Sequence, residues 1–148
     1  MPNSIEKSID LKAPVERVWR ALTDHREFGE WFRVAIATPF EEGRPARGYI
    51  LHPGYEHVMM SVLIKEMQEP TLFSFTWHPY AIDPHVDYST EIPTLVEFRL
   101  QPIPSGTKLT VTETGFDAIP AHRMPEAFRM NEGGWAIQVE NIKKHVES

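Results

Sequence analysis

Hydrophobic and polar positions alternate from the start of the chain. Ile5, Ile9 and Leu11 interleave with Glu6, Ser8 and Asp10, the period of a strand with one buried face, although Lys7 shares the apolar side. The period then changes. Pro14 suits the first position of a helix, where its missing N–H costs nothing, and Val15, Val18, Trp19 and Leu22 follow at i, i+3, i+4 and i+7 as one apolar stripe. Glu16 and Arg20 can pair on the outer side. This helix is expected to end near Asp24, with a second short turn holding Phe28, Trp31 and Phe32.

From Val34 to about Gly115 the pattern predicts strands over 34–38, 47–51, 58–67, 72–77, 94–101 and 108–114, punctuated by Pro39, Glu42-Gly43-Arg44-Pro45, Pro53-Gly54 and Glu69-Pro70. Phe73, Phe75 and Trp77 share one strand face, as do Val96, Phe98 and Leu100. Short connections favour an antiparallel meander, with a hairpin about 102–106, because parallel pairs need long crossovers. A proline-rich connection over 78–93 interrupts the meander. After Pro120 and Pro125 the helical period returns, and Phe128, Trp135, Val139, Ile142 and Val146 fall on one stripe that also takes in Met124 and Asn131, with Gln138 at its margin. The order predicts an α+β fold: a curved antiparallel sheet of about seven strands wrapped around a long C-terminal helix, with one or two short helices after the first strand.

Composition narrows the function classes. A length of 148 residues is expected to form one domain, residues 1–148, large enough to bury roughly 68–70% of its unfolded surface. Fifteen Lys and Arg against 21 Asp and Glu give a net charge of −6 with no basic patch, so nucleic acid is not an expected partner. The longest apolar runs are only a few residues and Met1-Pro2-Asn3-Ser4 begins no signal peptide, which argues against a membrane partner and for a cytoplasmic domain. With no cysteine, disulfides, thiolate metal sites and cysteine nucleophiles are excluded.

Several runs stand together along the chain: Ile5-Glu6-Lys7-Ser8-Ile9, the run from Ala13-Pro14-Val15 through Ala21-Leu22-Thr23, Trp31-Phe32, Phe75-Thr76-Trp77, Leu109-Thr110-Val111-Thr112-Glu113-Thr114-Gly115-Phe116, and Gly134-Trp135. In these the chain resembles the SRPBCC superfamily of START-like, birch-pollen-allergen-like helix-grip domains. Its branch looks like homologues of the activator of the ninety-kilodalton heat-shock protein ATPase. The resemblance spans nearly the whole chain and implies the fold and a cavity between sheet and helix, without a shared catalytic set. The 78–93 connection is richer in polar and ring residues than a plain hairpin needs. Nothing matches the additional N-terminal domain of the full-length eukaryotic activator, so a chaperone partner is implied by the family name alone.

In such a fold Phe73, Phe75 and Trp77 would line one strand and face Asn131 and Trp135 on the helix. Trp31, Phe32, Tyr49, Phe98 and Phe116 could close the space. These ten residues are either a ligand-binding wall or a filled aromatic core, since rings at these periods also bury well without a ligand. Asn131 on the apolar stripe should bond backbone or await a ligand. Alternating connections would bring 52–57, 78–93 and 115–124 to one end of the sheet, gathering His52, His57, His78, His85 and His122 beside Glu56, Asp83 and Asp87. The spacing matches no metal motif, so no metal and no cofactor are expected. His78, Asp83, His85 and His122 are the candidate polar mouth, able to move protons if the domain is an enzyme of the cyclase or hydrolase-like type found among its relatives. The expected function is binding of a small apolar organic molecule. Turnover in the same cavity and a chaperone-regulating module are the alternatives. A homodimer through sheet edges or helices is compatible with a domain of this type. Gly133-Gly134 inside the helix calls for close packing, a break, or room for a ligand beside Trp135.

Overall fold

The alternation at the N-terminus becomes strand β1 (Ser4–Leu11) in the computed structural model, which describes residues 3–148. Met1 and Pro2, part of the N-terminal segment read above, lie outside the described residues. The apolar stripe that follows is α1 (Val15–Thr23), with Val15, Val18, Trp19 and Leu22 all buried. Pro14 stands one residue earlier than expected, as the N-cap in extended backbone. Asp24 both stops this helix and starts the next. Its amide donates to Arg20 O at 2.9 Å, while its Oδ1 accepts the amides of Arg26 (2.9 Å) and Glu27 (3.3 Å) at the head of α2 (His25–Phe32).

Six further strands follow: β2 (Val34–Ile36), β3 (Pro45–Ile50), β4 (Met59–Gln68), β5 (Leu72–Trp77), β6 (Thr94–Ile103) and β7 (Gly106–Thr114). They form a curved seven-stranded antiparallel sheet in the order β1-β7-β6-β5-β4-β3-β2. The meander is therefore complete, with β1 closing onto β7 at its far side. The β6–β7 hairpin is tighter than its prolines suggested, since Pro102 pairs with Thr107 and Ile103 with Gly106. Gly106 is required there. Its φ is 148°, and a Cβ would lie 2.1 Å from the carbonyl oxygen of Leu11, where the chain leaves β1.

A single 3₁₀ turn (Phe116–Ala118) leads to the long helix α3 (Met124–Glu147), which packs on β1, α1 and α2 with Phe128, Trp135, Val139, Ile142 and Val146 turned inward. This is the α+β helix-grip arrangement. The space between helix and sheet is filled by rings: Phe98 lies 6.0 Å from Phe73, 6.1 Å from Phe75, 6.4 Å from Trp31 and 5.7 Å from Trp135, centroid to centroid. Gly133 and Gly134 neither break the helix nor let anything approach, because a Cβ on either would meet no atom within 4 Å. Among the described residues no helix is long and apolar enough to cross a membrane.

The three helices are tied by one carboxylate. Glu27 accepts from Arg17 at 2.6 Å and Arg20 at 2.9 Å on α1, and it meets His145 Nε2 on α3 at 2.8 Å. Burial pushes the Glu27 carboxyl up, but the hydrogen bonds from His145, Arg17 and Arg20 outweigh it, so the group titrates below the ordinary glutamate range. A carboxyl depressed in the folded state contributes stability above its unfolded pKa and loses it as pH falls through the folded value. Glu27→Gln should therefore destabilise the protein at neutral pH by on the order of 1 kcal/mol. In urea titrations the gap between wild type and variant should close as the pH is lowered past the carboxylate range. A gap that stays constant with pH would assign the loss to packing.

Candidate binding cleft

The strand face that carries Thr107, Leu109 and Val111 inward by period two also carries Glu113, which is fully buried. Its neighbours explain how a carboxyl group is tolerated there. Oε2 accepts from Trp77 Nε1 (2.8 Å) on β5 and Thr94 Oγ1 (2.6 Å) on β6. Oε1 accepts from Asn131 Nδ2 and Trp135 Nε1, both at 2.9 Å, one turn apart on α3. The group thus joins three strands to the grip helix, and all four donors are uncharged. Sequence reading placed Asn131, Trp77 and Trp135 together but expected Asn131 to seek backbone or ligand, and it missed the acceptor. The signal was the phase of Glu113 with the apolar residues of its strand.

Beside this joint, between α3 and the free ends of β3, β4 and β5, lies an open cleft of about 540 Å³. Phe32, Trp77 and Asn131 form its floor, with Ile50, Met60 and Ser61 on the sheet side and Met130 and Gln138 on the helix. His52, Tyr55 and Val58 come from the β3–β4 connection, and His78, Tyr80, Ile82 and Tyr88 from the segment that crosses the mouth. None of the described residues lining it is Asp, Glu, Lys or Arg. A smaller void of about 90 Å³ continues under the floor to Gly134 and Trp135. The opening is thus shifted away from the centre of the grip, which the rings occupy, toward the edge under the strap.

The strap is 78–93, and one arginine fastens it. Arg123, just before α3, donates to Glu91 through Nη2 at 2.5 Å and through Nε at 3.2 Å to each carboxylate oxygen. Its Nη1 donates to the carbonyl oxygens of Pro79 (2.6 Å) and Tyr80 (3.3 Å), and its guanidinium lies 4.8 Å from the Tyr88 ring centroid. Both charged side chains are nearly buried, at 11% and 10% exposure, so this is a desolvated, bidentate pair. Tyr80 adopts a left-handed conformation, φ 54°, within the clipped segment. Burial, and behind it the carboxylate of Glu126, pushes its phenol up. Nothing in the sequence singled out Arg123 or Glu91, since a charged pair 32 residues apart leaves no local pattern.

The expected site residues divide. Phe32, Trp77 and Asn131 line the cleft, and Trp135 borders the void beneath. Trp31, Phe73, Phe75 and Phe98 are core; Phe116 is buried against Phe128, 5.1 Å away. Tyr49 requires correction. Ala46 and Gly48 take the buried phase of β3, so Tyr49 falls on the outer face and is 54% exposed. His78 lines the cleft with Nε2 held 3.0 Å from Glu91 O. Asp83 and His85 form an exposed turn, Asp83 Oδ1 accepting the His85 amide at 2.9 Å, and His122 is exposed before α3. Arg123 ties the 115–124 connection to the strap, and the 52–57 connection shares the cleft with it through His52 and Tyr55. Of their histidines only His52 and His78 share the cleft, and no three His, Asp or Glu among the described residues are grouped to hold a metal.

Comparison with known proteins agrees with this architecture. Residues 12–147 match the family described as activator of Hsp90 ATPase homolog 1-like proteins. The chain belongs to that family. It is an SRPBCC-type domain of the Aha1-like branch. Among solved structures it is similar to protein MLL2253 from Mesorhizobium loti, at 20% identity and a TM-score of 0.76 over 97% of this chain and 96% of that one. A protein from Arthrobacter aurescens gives 19% identity and 0.77 over 98% and 86%. The Aha1 dimer from Colwellia psychrerythraea gives 15% and 0.74 over 97% and 96%. At such identities the likeness shows the fold. None of the curated proteins matches the chain.

The clip yields a test of how this family member holds its cleft mouth. In Arg123→Ala, amide hydrogen exchange over 79–91 should accelerate by about tenfold or more, while β1, β6 and β7 keep their wild-type protection. Unchanged exchange in the strap would show that other contacts hold it.

Proposed function

We propose that the protein binds a small, largely apolar organic molecule in the cleft under the 78–93 strap. The observation that carries this reading is the lining: aromatic and apolar side chains with a few polar groups, two imidazoles among them, and no Asp, Glu, Lys or Arg, in a volume of about 540 Å³ suited to one small ligand. Affinity would come from apolar surface removed from water, about 25 cal/mol per Å². Met59, Met60 and Met130 add thioether side chains that adapt to the shape of a guest. Turnover in the same cleft has less support, because Asp83, His85 and His122 stand outside the lining and His78 is engaged by the Glu91 carbonyl. A chaperone-regulating role rests on the description of the family alone. The absence of cysteine is compatible with a reducing compartment such as the cytoplasm as the place of action.

Titration with N-phenyl-1-naphthylamine, an uncharged fluorescent molecule, should give saturable one-to-one binding. Ile82→Asp, on the strap and away from the core, should weaken it by about tenfold or more, because a carboxylate in an apolar lining must be desolvated by the guest. Binding that is absent, or indifferent to Ile82→Asp, would overturn the assignment of the cleft.

A further inference from the structure

We infer that the cleft selects an uncharged aromatic molecule carrying a hydrogen-bond donor, a hydroxyl or N–H, and that Asn131 Oδ1 is the atom that reads it. The inference rests on the cleft being the binding site and goes further, to the chemistry of its guest.

An indole nitrogen can only donate, and each oxygen of the Glu113 carboxyl already accepts one, Trp135 on Oε1 and Trp77 on Oε2. Asn131 faces Oε1 at 2.9 Å. With Glu113 ionised, turning the amide about would set two acceptor oxygens opposed at that distance. The orientation of an asparagine amide follows from the network it joins, and beside a carboxylate it is Nδ2 toward Glu113, as in the structure. Oδ1 is therefore turned away from the buried joint. It accepts no hydrogen bond among the described residues and is not sealed from solvent, and Asn131 is part of the cleft floor. The floor presents an acceptor whose direction is set by a group the ligand never touches.

The rest of the lining fixes the body of the guest. Phe32 and Trp77, 6.0 Å apart at the centroids and inclined by 62°, give the floor two ring surfaces, and Tyr80 and Tyr88 hang over it from the strap. Flat rings meet such surfaces edge-on or offset. With no Asp, Glu, Lys or Arg in the lining, an ionised guest would give up its hydration without a permanently charged partner. An uncharged ring with one donor satisfies all of these features. A guest lacking the donor would cover Oδ1 and leave it dry and unpaired.

Three ligands of nearly one shape test this on the full-length protein: 2-naphthol, 2-fluoronaphthalene and 2-naphthoate, with affinities followed by tryptophan fluorescence. The expected order places 2-naphthol about tenfold or more tighter than 2-fluoronaphthalene, and 2-naphthoate weakest. In Asn131→Ala, where Glu113 keeps three donors, the advantage of 2-naphthol should fall to within about twofold. Equal binding of 2-naphthol and 2-fluoronaphthalene to the wild type would overturn the donor requirement while leaving the cleft as the site. The wild-type comparison holds whether or not the variant folds. An advantage that persists in Asn131→Ala would overturn the role of Oδ1. Tightest binding by 2-naphthoate would contradict selection for an uncharged guest. Failure of all three to bind would remove the cleft reading itself.

Discussion

A carboxyl group buried without a cation dictates much of this molecule. Taking Glu113 out of water is affordable only if each oxygen is met by donors, since a buried polar group left unpaired costs on the order of 1–3 kcal/mol. The donors come from Trp77 on β5, Thr94 on β6, and Asn131 and Trp135 on α3. Any sliding of the grip helix along the sheet would break the two from α3 together. The apolar stripe of α3 sets which face is buried, and this polar joint sets its register. The cleft floor inherits that fixity, because Trp77 and Asn131 belong to both.

The other side of the cleft is built on the opposite plan. The strap 78–93 contributes few core residues and is held by one guanidinium that reaches both of its ends. A rigid floor and a clipped roof suit the binding role proposed for the cleft, because a segment with few buried contacts opens at a small cost. Family membership and structural similarity establish the architecture in which this occurs. They leave its chemistry to the residues of the cleft.

The sequence carried most of the architecture because periodicity is a local signal. The alternation at Ile5–Leu11, the stripe on α1, the strand 72–77 and the inward set on α3 are each written within a dozen residues, and they reappear in the structure. The site was less legible for three physical reasons. Tyr49 looked like a cavity ring because its size was weighed above its phase, whereas Ala46 and Gly48 hold the inner positions of β3. Periodicity leaves open whether large rings border a void or fill a core, and here Trp31, Phe73, Phe75 and Phe98 fill one another's space, which moves the opening to the sheet edge. The Arg123–Glu91 clip depends on pairing across distant segments, which no window of sequence contains. Glu113 lies between these cases: its phase was visible, but its four partners come from three separate elements.

The claim on which this account turns is that Glu113 holds both indoles by hydrogen bonds closed to solvent. Hydrogen exchange of the indole N–H groups, followed by NMR on the nitrogen-15-labelled protein, measures it directly. The account predicts that the Trp77 and Trp135 indole protons exchange only through opening reactions close in free energy to global unfolding. Exchange of either at the rate of a freely solvated indole would contradict it.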